Sequence, residues 1–450
     1  MSRILLTTRS RESGLYDYYR ENAPREFRWR FGMPRRISFG LRFLRQNVPG
    51  VSILEYPARS EFSAQLRRGW DAVGFSFYLE ETNEILDMVH EARAAGIPAV
   101  WAGNYGALTP TIQSAFDRAF VGYSEEAIAD HLGLRLDEIQ HPPLISEFKF
   151  PGGWRIPVGV LFSSRGCSFR CTFCQTTAFA PQPKPISLES MDRVLHWYTQ
   201  HGVRFVLMLD ENFGNLPSHA DAVTELLARH GVRWLVQSRV DLLLRNFDKW
   251  TRCGMEGALF GIESFHQEIL KQMHKNEKVQ AAFELAERFN RVGLYAHGYY
   301  IIGLPSETPE SIDADLRTLA SLELDVTQIT IVTPHPRTEM WRDLETNYGI
   351  FEKDWSKFDT KHLVWNHPHC APGVLETLLE RGFQYCYGSR WVRRTMKKFV
   401  AKRWFERDLA GVLTGPLAAR WAAPHRLPFL PMRTPAVSDD QPQRAHVATA

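Results

Sequence analysis

The sequence predicts an α/β protein with two parallel-sheet domains and a helical C-terminal region. Short β-favouring segments alternate with helical segments, a proline-bearing stretch interrupts the alternation once, and the pattern ends about a hundred residues before the C-terminus. A chain of 450 residues is long enough for two or three domains. The predicted boundaries are 1–140 for a doubly wound Rossmann-like domain, 141–153 for a linker, 154–345 for a partial (β/α)6 barrel, 346–430 for the helical region and 431–450 for a disordered tail.

The composition is that of a core-forming protein. Hydrophobic residues make up 44% of the chain and charged residues 23%, which is ordinary for a globular protein. Apolar runs stay below the roughly 18 to 20 residues that cross a bilayer, and a net charge of +3 does not indicate a nucleic-acid partner. The N-terminal residues lack the pattern of a secretory signal, so we expect a cytoplasmic protein.

The first domain alternates strands and helices up to about residue 130. We predict strands at 4–8, 51–56, 72–78, 99–102 and 119–121, and helices at 38–46, 80–95 and 125–132. Loops 103–106 and 122–125 each follow a predicted strand. Because doubly wound sheets bind ligands at the carboxyl ends of their strands, these loops predict a cleft along that edge.

The second domain repeats the alternation with six strands. We predict them at 158–163, 205–210, 233–238, 257–261, 295–302 and 328–333, with helices between them. Six strands in this order indicate a partial barrel, and barrels of this kind carry their chemistry at the carboxyl ends of the strands. Polar residues follow several of these predicted ends.

Three cysteines on one loop, Cys167, Cys171 and Cys174, follow the first of these strands and are the strongest chemical signal. A cubane iron–sulfur cluster normally takes four thiolates, so three of them predict an iron with one position left for another ligand. A structural zinc site would need a fourth Cys or His close by, and residues 175–177 supply none. Disulfides are disfavoured because six Cys in 450 residues are sparse and three crowd one loop.

The cysteine triad, with Phe173 directly before the last thiol, resembles the signature of radical S-adenosylmethionine (SAM) enzymes. The resemblance implies that Cys167, Cys171 and Cys174 hold a [4Fe-4S] cluster, with Phe173 beside the cofactor. It further implies that the methionine amino and carboxylate groups of SAM chelate the fourth iron. One electron then cleaves the sulfonium and gives a 5′-deoxyadenosyl radical.

The first domain resembles the cobalamin-binding domain that precedes many enzymes of this family, and the resemblance lies in residues 70–76, 102–107 and 120–126. In many cobalamin proteins an Asp-x-His-x-x-Gly loop supplies a His that coordinates cobalt. That loop is absent here, and Asn104 takes the second position of the usual Gly-Gly pair. We therefore expect the domain either to bind cobalamin without a His ligand or to support the substrate or a partner.

Four polar residues at the ends of the second and third barrel strands match family positions for SAM binding. Asp210 and Glu211 correspond to a short acidic motif that holds the methionine amino group, although adjacent carboxylates equally suit a helix N-terminus. Ser238 and Arg239 follow the third strand, where the guanidinium suits a carboxylate bidentately. A structural salt bridge is the competing interpretation for Arg239.

Three further residues follow the fourth to sixth strands. Glu263 lies in a Gly-Ile-Glu-Ser sequence that resembles a family motif and would contact polar groups of the cofactor, since a buried carboxylate needs a partner. Gly303 opens Gly-Leu-Pro-Ser-Glu-Thr, the family segment that packs adenine, and glycine permits close backbone approach. His335 is a candidate acid or base for the substrate, or simply a loop residue.

Basic residues alternate with aromatic and aliphatic residues in segment 389–405. This pattern is typical of an amphipathic helix on an anionic membrane face. A helix that covers the open side of the barrel, with its Lys and Arg in water, is the alternative. From Pro431 onward the composition predicts disorder.

The resemblance implies an enzyme that starts radical modification of a small hydrophobic metabolite, with a tetrapyrrole pigment as first choice. The expected outcome is hydroxylation, rearrangement or methylation, and an electron donor such as flavodoxin or ferredoxin is the expected partner. A cobalamin-dependent C-methyltransferase acting on a lipid or antibiotic precursor is the alternative. An iron–sulfur electron carrier or redox sensor is the alternative from another class, and it predicts no cleavage of SAM.

Overall fold

The structure is a computed structural model that describes residues 3–11, 33–34, 37–112, 114–150, 154–388, 390–391 and 393–394. The predicted disordered tail and most of the predicted amphipathic segment 389–405 lie outside these residues. No helix in the described ranges is long and apolar enough to cross a membrane.

Fifteen strands are present in the described residues. They are β1 (Ile4–Thr7), β2 (Met33–Pro34), β3 (Val51–Leu54), β4 (Ala72–Ser76), β5 (Ala99–Gly103), β6 (Arg118–Ala119), β7 (Ile145–Phe150), β8 (Trp154–Leu161), β9 (Ser164–Arg165), β10 (Lys184–Pro185), β11 (Phe205–Met208), β12 (Arg233–Gln237), β13 (Met255–Glu263), β14 (Tyr295–Ile302) and β15 (Val326–Ile331).

Thirteen α-helices accompany them in the same described part of the chain. They are α1 (Phe39–Asn47), α2 (Arg59–Leu66), α3 (Thr82–Ala94), α4 (Glu125–His131), α5 (Thr176–Phe179), α6 (Leu188–Gln200), α7 (Pro217–Arg229), α8 (Val240–Arg252), α9 (Gln267–Gln272), α10 (Val279–Val292), α11 (Pro309–Ser321), α12 (Glu339–Asn347) and α13 (Val374–Cys386).

The first sheet is parallel and has the order β3-β1-β4-β5-β6. Side chains alternate across it, because successive residues of a strand point to opposite faces. Leu5 belongs to a core shared with α2 and α3, whereas Ile4 and Leu6 belong to a core shared with α1 and α4. Both faces are therefore covered by helices, and the predicted doubly wound domain is confirmed.

The second sheet has the order β15-β14-β13-β12-β11-β8-β7-β2. The six strands from β8 to β15 in this sheet are parallel, as the barrel prediction requires, and they form an open half-barrel. Strands β7 and β2 extend its edge in antiparallel orientation. Because all six parallel strands point the same way, their carboxyl ends meet at one edge of the barrel.

The predicted linker is wrong for part of its length, because residues 145–150 form β7. This strand pairs antiparallel with β8, from Ile145 opposite Gly159 to Phe150 opposite Trp154. An edge strand leaves backbone donors and acceptors unpaired, and a preceding segment of the chain can satisfy them. The sequence prediction missed β7 because prolines and glycines flank it on both sides.

The helical region after the barrel covers its last strand. Helix α13 packs against α11 and β15, and its Gly382 lies so close to Leu316 that a Cβ would come within 2.8 Å of that side chain. Tyr387 extends the contact by donating to the carbonyl of Thr327 at 2.7 Å. Helix α13 therefore covers β15, the last strand of the half-barrel. The alternatives for segment 389–405 stay predictions, because most of that segment lies outside the described residues.

Candidate active site

The cysteine loop, residues 166–174, begins directly after β9 and is fixed by backbone contacts. Gly166 has a φ of +96°, and a Cβ on it would lie 2.8 Å from the carbonyl oxygen of Ala180, so glycine is required there. The amide of Cys167 donates to the same carbonyl at 3.0 Å. The amide of Thr172 donates at 3.0 Å to the carbonyl of Met273, the residue directly after α9. The loop is thereby held at both ends.

The three thiols of this loop are free and partly buried. Burial raises the pKa of Cys167 and raises that of Cys171 to about 11, although the positive charges of Lys275 and Arg239 act against burial at Cys171. Unligated, Cys167 and Cys171 are protonated at neutral pH, so neither is an activated nucleophile. A metal centre would take them as thiolates and release their protons.

The donor set fits a [4Fe-4S] cluster better than a single metal ion. In the described residues, no three His, Cys, Asp or Glu side chains converge closely enough to hold one ion. Three thiolates of a cubane bind three different irons and therefore need not converge on one point. The cysteine loop provides such a set.

Asp210 fixes the end of β8 instead of facing an open site. Its carboxylate accepts four hydrogen bonds, two at 2.7 and 2.6 Å from the amide and hydroxyl of Ser163 and two at 2.9 and 2.7 Å from those of Ser164. Burial raises its pKa to about 6. Four donors occupy the acceptor sites of a carboxylate, so these contacts do not support the predicted contact with the methionine amino group.

Glu211 links the cysteine loop to the first domain. Its Oε2 accepts from the amide of Gly166 at 2.8 Å, and its Oε1 accepts from the hydroxyl of Tyr123. Glu211 also lines the cavity between the domains. The sequence prediction paired Glu211 with Asp210 at one ligand, but the structure directs the two carboxylates to different partners.

Arg239 is committed to protein partners on all sides. Its Nη2 donates to the carbonyl of Lys275 at 2.5 Å, and its Nε donates to Asp241 Oδ1 at 3.2 Å. Its Nη1 lies 4.0 Å from Cys171 Sγ, and the guanidinium carbon lies 4.2 Å from the ring centre of Phe169. These contacts agree with the competing interpretation, in which Arg239 has a structural role. Its side chain packs against the cysteine loop.

Glu263 ends β13 in a buried ion pair. Its Oε1 lies 3.1 Å from Nζ of Lys275, which also lies 3.6 Å from Glu277 Oε2. Glu263 has a φ of +64°, and the register between β13 and β14 shifts between Gly261 and Glu263. The sequence prediction missed Lys275 and Glu277, because nothing local in their sequence indicates that they are buried.

The remaining predicted residues surround the same barrel edge. The hydroxyl of Ser238 donates to the carbonyl of Phe213 at 2.6 Å, while Phe173 packs on the barrel core. Gly303 has a φ of +80°, which favours glycine. A Cβ there would lie 2.6 Å from Leu375, so close packing also requires glycine at this position. His335 Nδ1 is buried without a partner among the described residues, and burial lowers the pKa of His335 to about 4.

A cavity of about 490 Å³ lies between the carboxyl edges of the two sheets. The first domain contributes the ends of β4 and β5 and the loop at 122–125, and the barrel contributes residues that follow β8, β11 and β12. The lining is mainly aromatic and aliphatic, with backbone exposed at glycines, and none of its residues is a histidine; it includes Phe39, Gly103, Asn104, Tyr105, Gly122, Phe162, Phe179, Leu209 and Gln237. The cleft predicted from loops 103–106 and 122–125 is therefore present.

A buried ion pair holds the loop at 122–125 against the start of the cysteine loop. Arg165 Nη1 lies 2.7 Å from Glu125 Oε1, and their side chains are only 9% and 3% exposed. The guanidinium carbon of Arg165 also lies 4.3 Å from the ring centre of Tyr123 and 4.7 Å from that of Phe43. The sequence prediction missed this contact, which joins two distant segments of the chain.

Comparison with known proteins identifies the barrel. Residues 161–319 match the model of the Radical SAM superfamily. An uncharacterized methyltransferase of Pyrococcus horikoshii is 28% identical over 55% of this chain and 55% of its own length. A hopanoid C-3 methylase of Methylococcus capsulatus is 26% identical over 46% of this chain and 40% of its own length. The chain thus spans about half the length of these relatives.

A longer match and one solved structure extend beyond the barrel. The bacteriochlorophyllide d C-8(2)-methyltransferase of Chlorobaculum tepidum is 22% identical over 71% of this chain and 78% of its own length. The radical SAM methyltransferase TsrM of Kitasatospora setae, solved with cobalamin and a [4Fe-4S] cluster bound, aligns with a TM-score of 0.55 and 16% identity. This alignment covers 77% of the present chain and 78% of TsrM, so the two proteins share the order of their two domains.

Proposed function

We propose, from the match of residues 161–319 to the Radical SAM superfamily, that the protein is a cobalamin-dependent radical SAM C-methyltransferase for a small hydrophobic metabolite. A radical SAM domain uses a [4Fe-4S] cluster and SAM, and the cluster supplies the electron that cleaves SAM. We assign cluster binding to Cys167, Cys171 and Cys174. Cobalamin would supply a carrier for the methyl group.

The observation that carries the proposal is the cavity between the two sheet edges. It connects the ligand-binding edge of a Rossmann-like domain with the catalytic edge of the barrel, so a ligand in it contacts both. Gly103 exposes its backbone there, because a Cβ on it would meet no atom closer than the carbonyl of Phe75 at 3.6 Å. An exposed backbone beside aromatic walls fits a large, partly planar cofactor.

The cavity also defines the form of cobalamin binding that we propose. None of the described residues that line it is a histidine, so a bound cobalamin would take no His ligand from these walls. Polar side chains that line the cavity include those of Asn104 and Tyr105 on the first domain and of Glu211 on the barrel. Burial and neighbouring charges raise the pKa of Tyr105 above its ordinary value, so its hydroxyl stays neutral.

We assign the other residues around the barrel edge to positioning and to SAM. Asp210 and Glu211 hold the strand ends and the start of the cysteine loop. Phe173, Ser238 and the Gly303 segment remain proposed contacts of the cofactor, and Arg239 supports the cysteine loop from behind. His335, neutral because burial lowers its pKa to about 4, is proposed as a base that is available without prior deprotonation.

Methyl transfer is favoured over the other outcomes by the relatives. The three relatives described above are all named methyltransferases or methylases, and TsrM is one as well. The substrates in two of their names, a hopanoid and a bacteriochlorophyllide, are lipophilic, and the cavity walls of the present protein are mainly apolar. We therefore propose a tetrapyrrole or a comparable lipophilic compound as the methyl acceptor.

A second candidate is hydrogen abstraction followed by cyclisation or hydroxylation without cobalamin. An anaerobic magnesium-protoporphyrin IX monomethyl ester cyclase of Cereibacter sphaeroides is 25% identical over 45% of this chain and 35% of its own length. A flavodoxin or ferredoxin as electron donor, and peripheral membrane contact through segment 389–405, also remain proposals.

The test is turnover by anaerobically reconstituted protein with a low-potential reductant, with and without cobalamin. The proposal predicts 5′-deoxyadenosine and, only with cobalamin, S-adenosylhomocysteine. With SAM labelled by deuterium in its methyl group, tetrapyrrole or lipid extracts from a deletion strain should gain the labelled methyl. Formation of 5′-deoxyadenosine with no S-adenosylhomocysteine under either condition would favour the second candidate, and no cleavage of SAM would favour an electron carrier.

A further inference from the structure

Four buried charged residues lie behind the cysteine loop. Lys275 pairs with Glu263 at 3.1 Å and with Glu277 at 3.6 Å, and Arg239 pairs with Glu277 at 3.4 Å. Their side chains are between 4% and 10% exposed. Transferring charges from water to a protein interior costs several kcal/mol per ion before pairing. Replacement by packed apolar residues is often neutral, so stability alone does not explain this cluster.

The Lys275–Glu263 pair is held in one geometry. A Cβ on Gly261 would lie 1.8 Å from Glu263 Oε1 and 2.7 Å from Lys275 Nζ, so the pair rests on the bare backbone of Gly261. Burial opposes the charged form of Lys275, but the carboxylates of Glu263 and Glu277 raise its pKa above the ordinary value. Lys275 therefore carries a fixed positive charge.

The pair adjoins the cysteine loop. The amide of Thr172, the residue after Cys171, donates to the carbonyl of Met273 at 3.0 Å, two residues before Lys275, and Nη2 of Arg239 donates to the carbonyl of Lys275 at 2.5 Å. In keeping with this placement, the charge of Lys275 lowers the pKa of Cys171 and that of Glu263 raises it, beside burial, which raises it most. Arg239, the neighbour of this pair, lies 4.0 Å from Cys171 Sγ. In a medium of low effective dielectric such charges act strongly on one another.

We propose that the Lys275–Glu263 pair sets the midpoint potential of the iron–sulfur cluster held through Cys171. Reduction adds one electron, taken from a low-potential one-electron donor, and thus one negative charge, while no bond forms or breaks. The positive charge of Lys275 favours the reduced state, and the negative charge of Glu263 opposes it. This inference rests on the cluster of the radical SAM domain and is independent of cobalamin and methyl transfer.

The test is a potentiometric titration of the reconstituted full chain with dithionite and mediator dyes, followed by electron paramagnetic resonance. SAM, cobalamin and substrate are all left out, so failure of the proposed methyl transfer does not affect the result. Lys275→Met should lower the midpoint potential, and Glu263→Gln should raise it. Lys275→Arg should stay close to the unsubstituted protein, because it keeps the charge.

Lys271→Met is the matched control, because Lys271 lies on α9 with its side chain 75% exposed and should leave the potential unchanged. A purely structural role predicts loss of iron or shifts of one sign in both single variants, and either result overturns the proposal. Lys275→Met leaves two carboxylates without their cation, so a double variant with Glu263→Gln provides a second comparison. Its potential should lie below that of Glu263→Gln alone, and an equal or higher value contradicts the proposal.

Discussion

The two sheet edges that face each other across the cavity differ in what they present. The edge of the first domain presents backbone at Gly103, the amide of Asn104 and aromatic rings such as Tyr105. The barrel edge presents three thiols and, behind them, two buried cations with their carboxylates. Shape and apolar area suit binding, whereas concentrated charge and thiols suit electron transfer. From this division we expect that mutations can separate cofactor binding from reaction initiation.

The largest expected effect comes from a mutation that disrupts the proposed iron–sulfur site on the barrel edge and leaves the edge of the first domain unchanged. Cys171→Ala removes one of three cluster ligands, so we expect loss of bound iron and of SAM cleavage. Iron and sulfide analysis of anaerobically reconstituted protein measures the loss. Cys253→Ala is the control, because Cys253 is a free thiol that follows α8, outside the cysteine loop. Iron bound to the Cys171 variant at the original stoichiometry would contradict the assignment.

The second expected effect comes from a mutation that obstructs the cavity at the edge of the first domain. Gly103→Trp places an indole in the cavity, because Gly103 lines it, a Cβ there would meet no atom closer than 3.6 Å, and its φ is not positive. We expect at least a tenfold weaker affinity for cobalamin, about 1.4 kcal/mol or more, with iron content unchanged.

Absorbance titration with cobalamin measures this affinity. Gly388→Trp is the control, because a Cβ there would meet nothing within 4 Å and Gly388 is not among the residues that line the cavity. Unchanged affinity in the Gly103 variant would place cobalamin outside the cavity, and parallel loss of iron would show that the two edges are not separable.

The third prediction concerns the contact that joins the two edges. Glu125→Gln leaves the buried guanidinium of Arg165 without its carboxylate, so we expect the free energy of unfolding to fall by about 3–5 kcal/mol. Urea unfolding of the cluster-free chain measures the change. The exposed pair Lys184–Glu126 lies beside the Arg165–Glu125 pair, because Lys184 on β10 is opposite Arg165 on β9. Its side chains are 73% and 58% exposed, and Glu126→Gln should cost less than about 1 kcal/mol. Equal costs in the two variants would contradict the account.

The smallest effect depends on pH. His141 is buried where α1 and the barrel meet, its Nδ1 lies 2.7 Å from the carbonyl of Pro142, and its Nε2 accepts from the amide of Phe162. Burial lowers its pKa to about 3, from 6.5 in the unfolded chain. A depressed pKa gives stability that is present above pH 6.5 and is lost as the pH falls towards 3.

Between pH 7.5 and 5.5, the unsubstituted protein should therefore lose about 1.4 kcal/mol through His141. In His141→Gln that part of the pH dependence should vanish, whereas in the exposed control His90→Gln it should remain. Urea unfolding at the two pH values decides, and an equal loss in both variants would show that His141 does not titrate as proposed.

The sequence predicts those features of the fold and of the candidate site that depend on neighbouring residues, but not the contacts between distant segments. The six barrel strands and the cysteine loop follow from local patterns, because strand periodicity and thiol spacing lie within a few residues. The pairs Lys275–Glu263 and Arg165–Glu125 join segments that only the fold brings together, at sequence separations of 12 and 40 residues. Asp210 shows the same limit. The sequence predicted its position at a strand end, but it did not predict the four hydrogen bonds that Asp210 accepts from Ser163 and Ser164.

The measurement that tests the central claim most directly is an absorbance titration of the reconstituted protein with cobalamin, read alongside its iron content. The account predicts saturable binding of about one cobalamin per chain, weakened by Gly103→Trp and retained in Cys171→Ala. No binding by a protein that holds its cluster and cleaves SAM would contradict it.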